Sequence, residues 1–570
     1  MNELTYKTNF EGAREGMKVF EDLETICDNP RKVTEDLLLK ILDDNKDTEY
    51  GKKYHFDQIH SLKDYKRMVP VITYEDIDEY MERVKKGEKN VLTTYNFKHI
   101  NSTSGTVGKQ KAVPLTDEQA AVYMKYSNRL NLGILCKELG ESWMHGRSYC
   151  TSEGNYTTLD SGITYGCASS IMAEACKGGL EPYSSMLKSM YTSPPEAMSP
   201  GPKINTKYMH TRFALMDKDL TGITSGFMST IISHLQYIRE SHKILIDDIE
   251  KGTISPYIEM PEETRQSLQK RIVPMPERAA ELREIFKNGA DFQFVPSVWP
   301  KLEYVVAVGG DGFQVYDESF KSSYAGDRIH RLYGGVTASE GLWSVPIKLD
   351  CRDSVIVPDS AVMEFQPVEY EDDFSHIKDI DELEVGKIYE LVITNLCGFY
   401  RYRMSDAVKV VGFWHNTPLI QFMYRVNKTI NIVCEKTTEQ ALLVTAQNTA
   451  KKLGFQLLDY EVYPDKEVIP PKYVFLIEAP DDSPLKISKK ELDKVVLEEL
   501  CKANVEFEEC YNENLILGPD CWFECPDTQL LHIDKMVYKG ASPSQAKPVH
   551  VISNEQQKQF FMVLRNKWKE

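Results

Sequence analysis

The chain has 570 residues, 42% of them apolar and 10% aromatic, a composition that supports large buried cores and more than one domain. Its net charge of −18 sets most of the surface against a phosphate backbone, so nucleic acid is not an expected partner. No run reaches the roughly 18 to 20 apolar residues that span a bilayer, and the opening MNELTYKTNFEGAREG has no apolar signal core. The expectation is a cytoplasmic protein with no membrane partner.

In chain order, GMKVFEDLETICD and VTEDLLLKILDDN within the first 50 residues repeat apolar positions at three and four, which predicts helices. A strand is expected to end near Ile100, followed by the polar run INSTSGTVGKQKAVPLT (100–116) and then, after Pro114, a long helix capped by Thr116 or Asp117. TSPPEAMSPGPK (192–203) reads as a Pro-rich surface loop, and FMSTIISHLQYIRESHKILIDDIEKG (227–252) as an amphipathic helix. From about 300 short β-rich runs take over: LEYVVAVGG, AVMEFQP, KIYELVIT, AVKVVGFW and PLIQFMY. Near 437 helices return, interleaved with strands such as KYVFLIEA. The pattern predicts a large α/β domain over 1–430 and a small α+β domain over 431–570, with a hinge near 425–436. The twelve cysteines are too scattered for a disulfide scaffold, and Cys521 and Cys525 near His532 lack the C-x-x-C spacing of a zinc site.

Four segments could do chemistry. The run 100–116 concentrates hydroxyls, glycines and lysines that suit a phosphate cradle, but it fails the P-loop pattern and equally describes a polar turn. In LYGGVTASEG (332–341), backbone freedom at Gly334 and Gly335 precedes Thr337, Ser339 and Glu340, where a carboxylate could hold Mg2+ or simply face water. GFYRYRMSD (398–406) alternates aromatic and cationic side chains and ends in Asp406, which could accept both ribose hydroxyls. Its arginines could equally pair with nearby acids. Lys436, at the expected hinge, and Lys547, near the C-terminus, gain interest only through the other motifs.

Together STSGTVGKQK, TASEG and YRYRMSD resemble, in order and spacing, the three nucleotide motifs of the adenylate-forming enzymes. VWPKLEYVVAVGGDGFQVY (298–316), the run 385–439 and GASPSQAKP (540–548) narrow the likeness to the acyl acid–amido synthetases of the auxin-responsive Gretchen Hagen type, over nearly the whole chain. The resemblance implies a β-barrel joined to α/β subdomains with a small mobile C-terminal domain, and a ligase that uses ATP and Mg2+. It adenylates an acyl acid and passes the acyl group to an amino acid amine, releasing AMP and pyrophosphate. By that likeness Ser102, Ser104, Gly105 and Thr106 bind ATP phosphates, Thr337 and Ser339 line the nucleotide site, Glu340 holds Mg2+ and Asp406 binds ribose. Lys436 and Lys547 fall on the hinge and C-terminal lysines, either of which could reach the phosphate in a suitable domain orientation.

Four positions depart from the family pattern: Ser405 for glycine, Val107 for a hydroxyl residue, Glu435 for aspartate, and Pro548-Val549 where Pro-Arg is expected after Lys547. None removes an indispensable group. Transfer to a thiol such as coenzyme A, and a silent nucleotide- or acid-binding homologue, stand as the alternatives. The acyl pocket is expected between about 120 and 240.

Overall fold

A computed structural model describes residues 2–102, 111–154, 156–168, 189–198, 206–309, 314–426, 430, 432–433, 435–539, 541 and 546–565. Helices Asn2–Cys27 and Pro30–Asn45 open the chain, the second capped by Asn29 and carrying Pro at its first turn. They lead to a hairpin of strands Phe97–Ser102 and Ala112–Thr116. The first strand therefore runs two residues past Ile100, and Pro114 lies inside a strand rather than at a helix start. Thr116 is the N-cap: its hydroxyl accepts from Gln119 N, and helical backbone continues to Leu139 through one π-helical stretch.

Strands Ser148–Cys150, Gly222–Phe227, Tyr304–Val308 and His330–Tyr333 form a parallel sheet. Helix Met228–Lys251 packs on it through Ile231, Ile232, Leu235, Ile238, Leu245 and Ile249, all buried at helical spacing. At roughly 1.5–3 kcal/mol per buried aliphatic side chain this stripe dominates the helix's stability. Gly252, at φ +64, ends the helix. The described part of the Pro-rich segment, 192–198, is not a surface loop: Ala197 and Met198 lie in the core, and Ser193 Oγ donates to Cys150 O while His210 Nδ1 meets it at 2.8 Å. Its polar groups bond inward, which composition alone does not reveal.

Between 344 and 425 six strands form an antiparallel sheet, where the resemblance implies a barrel. The arginines of the YRYR run serve this sheet. Arg401 makes a two-pronged pair with Glu364 at 2.9 Å, both buried, and donates to Lys66 O and Val69 O; Arg403 pairs likewise with Glu390.

The C-terminal part has a three-stranded sheet, Asp459–Asp465, Lys472–Glu478 and Asp520–Glu524, covered by helices Glu439–Leu453 and Lys489–Ala503. Its apolar core is continuous with that of the parallel sheet. Cross-strand register sets Asp459, Glu478 and Glu524 in one row, and Glu461 follows two residues on, so four buried carboxyls share a face. Burial pushes Glu461 and Glu478 far up, and Glu524, whose carboxyl meets that of Glu461, up to about 8. A carboxyl raised on folding binds its proton more tightly in the folded state, so its stabilisation is complete below the unfolded value and is lost as pH rises through the folded one. Urea unfolding should therefore show stability falling between pH 4.5 and about 8, with Glu524→Gln falling less and exceeding wild type at the upper end. Parallel profiles for the two proteins would refute this.

Candidate active site

Strands Thr337–Ala338 and Gly341–Leu342 form a two-stranded hairpin with Ser339 and Glu340 at its tip. Three consecutive carbonyls there are held by side chains from three other elements. Tyr123 Oη donates to Ala338 O at 2.8 Å, Asn101 Nδ2 to Ser339 O at 3.0 Å, and Asn395 Nδ2 to Glu340 O at 2.7 Å. Gly335 is required by close approach rather than by freedom of the backbone, since a Cβ there would stand 1.8 Å from Ser344 O.

The held tip turns the Glu340 carboxyl into the protein beside Asp406, and both are buried. Burial and then the Asp406 charge raise the Glu340 pKa, while Lys111 and Arg425 oppose the rise. Arg425 Nε donates to Asp406 Oδ1 at 3.1 Å from the directly opposite position on the neighbouring strand. Lys111 Nζ donates to Tyr402 Oη at 2.7 Å and lies near the face of Tyr74. Two acids and two cations thus converge from four segments. Asn101 Oδ1, buried and without a partner among the described residues, adds an oxygen at the same edge.

Asp406 is aimed by backbone geometry. The register of strands Ile388–Thr394 and Tyr402–Trp414 slips between Glu390 and Val392, and in that bulge Ser405 takes φ +61. A serine thus holds the left-handed conformation that glycine favours, at a cost of roughly 1–2 kcal/mol.

Of the residues singled out from sequence, Ser339, Glu340 and Asp406 gather here, with Thr337 on the exposed side of the hairpin and Ser102 buried next to Asn101 on the first strand, opposite Ala112. Ser104, Gly105 and Thr106 lie outside the described residues, as does Val107. Lys547 lies 5.0 Å from the centre of the Phe227 ring, at the C-terminal end of a parallel-sheet strand. Phe227 faces Val308 across the sheet, and Val308 touches the chain at Gly334, which leads into the hairpin. Lys436 stands apart on the surface, paired with Glu371, while its neighbour Glu435 is buried and accepts from Ile432 N, Val433 N and Tyr473 Oη. Arg425 was not singled out, and Lys111 and Asn101 only as members of the run 100–116; register and long-range contacts mark all three.

Two cavities lie elsewhere. One, of about 550 Å3, sits at the N-terminal ends of the parallel strands, lined by Thr221, Glu303 and His330. Ligands of such sheets bind at the opposite, C-terminal ends, where Phe227 and Gly334 stand. The other, of about 330 Å3, lies between Tyr316 and Arg239 on one side and Asp459 and Glu478 on the other.

Three family profiles match the chain: the GH3 family N-terminal domain over residues 19–329, central domain over 354–425 and C-terminal domain over 440–556. The chain belongs to the GH3 family. It is 26% identical over 512 residues to indole-3-acetic acid-amido synthetase GH3.2 of Arabidopsis thaliana, covering 85% of this chain and 90% of that protein. It is 25% identical over 480 residues to jasmonoyl–L-amino acid synthetase JAR6 of Nicotiana attenuata, covering 81% of each. A solved GH3.15 acyl acid amido synthetase superposes with a TM-score of 0.85 over 96% of both chains at 21% identity, a likeness that carries the fold. The curated GH3 relatives it matches are acid–amino acid synthetases, and the solved synthetase shares its α/β fold. No described helix is long and apolar enough to cross a membrane.

The strained serine gives this GH3 site a direct test. Ser405→Gly should bind adenine nucleotide as wild type does. Ser405→Val, whose branched Cβ opposes a positive φ, should lower the melting temperature and weaken nucleotide binding at least several-fold by calorimetry. Equal binding by the two variants would show that this backbone does not aim Asp406.

Proposed function

We propose that this chain adenylates a small acyl acid with ATP and then passes the acyl group to the amine of an amino acid, forming an amide and releasing AMP. The observation that carries the reading is the convergence of Glu340 and Asp406, two buried carboxyls on separate segments, between Lys111 and Arg425. A buried pair of acids is costly unless something cationic or hydrogen-bonding completes it. ATP with its ion does so: ribose hydroxyls donate to Asp406, and Glu340 meets the metal.

One carboxylate plus substrate phosphates and water is the usual donor set for Mg2+, so the single acid Glu340 fits, with Asn101 Oδ1 a further oxygen nearby. The ion, when bound, offsets the negative charge that develops as pyrophosphate departs. Ser102, Ser104, Gly105 and Thr106 are the proposed phosphate contacts, and Thr337 and Ser339 the lining of the nucleotide site. Free carboxylate is a poor acyl donor because oxide leaves badly; AMP is a far better leaving group. The chain's task is to hold the acid in line with the α-phosphate and to neutralise charge there. Lys547 is the proposed cation for adenylation, since it already stands over Phe227 at the mouth of the parallel sheet. Lys436, paired with Glu371, could serve only after the part beyond a hinge at 425–436 turned against residues 1–430. At 25–26% identity the relatives' acids are not assigned to this chain.

Mass spectrometry of the protein with ATP, Mg2+, a broad panel of carboxylic acids and the twenty amino acids tests the reading. An acyl–amino acid product with matching AMP is expected. Acyl-adenylate without amide would redirect the search to a thiol acceptor, and neither product would favour the silent homologue. Asp406→Ala and Glu340→Ala should each reduce adenylate formation to below about one-hundredth of wild type while the proteins stay folded. Turnover near wild type in either would refute the site assignment.

A further inference from the structure

Lys547 belongs to a short strap, residues 546–552, that cannot slide on its own sheet. Val462 N donates to His550 O and Ile552 N to Val462 O, each at 2.9 Å. Gln529 clamps Val549 in both directions, Nε2 to its carbonyl at 3.1 Å and Oε1 from its amide at 3.2 Å. The position of Lys547 over Phe227 therefore depends on how the three-stranded sheet docks against the parallel-sheet part.

Several polar contacts cross that junction. Lys207 to Asp534 and Gln456 to Ser322 are open to water, and Gln236 to Asp527 and Gln447 to Gln314 are only partly buried. One is different. Tyr316 Oη donates to Asp459 Oδ2 with both residues buried, 3% and 1% exposed. The other oxygen of the same carboxylate, Oδ1, takes Tyr460 N at 2.9 Å and lies 3.0 Å from His550 Nε2. The His550 ring is also stacked on Tyr460, at 4.7 Å between centres and 8° between planes. One carboxylate thus ties a tyrosine of the parallel-sheet part to the strap, three residues beyond Lys547.

We propose that Asp459 and Tyr316 are positioning residues for Lys547: their buried hydrogen bond, passed to the strap through His550, holds the Lys547 ammonium over Phe227 at the mouth of the site. Asp459 touches no substrate; it acts by fixing where the strap stands. The inference rests on the proposed adenylation role of Lys547 for its catalytic consequence, but not for its geometry.

Two measurements separate those parts. The first is competitive acetylation of the whole protein with dilute acetic anhydride, read by peptide mass spectrometry, with exposed Lys436 as the internal reference. In Tyr316→Phe, which keeps the ring and loses only the donor, acetylation of Lys547 should quicken on the order of tenfold, the effect of one lost hydrogen bond to a charged acceptor. Asp459→Asn should act in the same direction, and Lys436 should not change in either. The second is ATP–pyrophosphate exchange with the acid found by the panel. Tyr316→Phe should lower kcat with KM for ATP held, and should add less than about twofold in a Lys547→Ala background, because both changes remove one function. Unchanged Lys547 acetylation in Tyr316→Phe overturns the proposal, as does full additivity with Lys547→Ala, the mark of a merely structural role. Faster acetylation alongside normal exchange by Lys547→Ala upholds the latch and removes the catalytic reading of Lys547 instead.

Discussion

The candidate site of this GH3 chain depends on three adjacent carbonyls that cannot be left without partners. A hairpin tip carried into the protein would strand Ala338, Ser339 and Glu340 oxygens, each worth about 1–3 kcal/mol unpaired. Tyr123, Asn101 and Asn395 satisfy one each, and each arrives from a different element. The first strand, the helix after it and the turn before the YRYR run are thereby locked to one another through the hairpin. With its backbone oxygens held, Glu340 has little choice of direction, and its carboxyl enters the space that Asp406 also occupies.

Electrostatics then decide what that space can contain. Two acids brought together in a buried setting raise each other's cost, and Lys111 and Arg425 offset it only in part, since Glu340 still lies above its ordinary value. The arginines that look most like anion binders, Arg401 and Arg403, are spent on Glu364 and Glu390. They brace the sheet and leave the site to a lysine and an arginine of less conspicuous sequence. The strain at Ser405 belongs to the same design, because the bulge it occupies is what turns Asp406 inward.

Most elements were legible in the sequence, for physical reasons that can be named. Helix Met228–Lys251 declares itself by apolar spacing and by the glycine that ends it, and strands such as Ile388–Thr394 by β-branched runs. Glu340 and Asp406 were legible as motif residues. Arg425 was not, and Lys111 only as one of two lysines in the run 100–116, because what distinguishes them is a place in a strand register or a contact at long separation, neither of which is a local pattern. The Pro-rich segment was misread around 195 because Ser193, polar in composition, faces a carbonyl and a histidine inside the fold. Gly335 suggested mobility, whereas it marks a place where two backbones nearly touch.

The bonds that build the site join residues far apart along the chain: 238 positions separate Asn101 from Ser339, and 291 separate Lys111 from Tyr402. A ribosome adding roughly 5–20 residues per second makes the first hairpin wait at least ten seconds or so for these partners. During synthesis its amide and ammonium groups face water, and the surroundings that later enclose them do not yet exist. A ligand of the finished site can therefore stabilise the folded protein but cannot guide the nascent one, and the early half of the chain must avoid aggregation on the strength of its own helices and its negative charge.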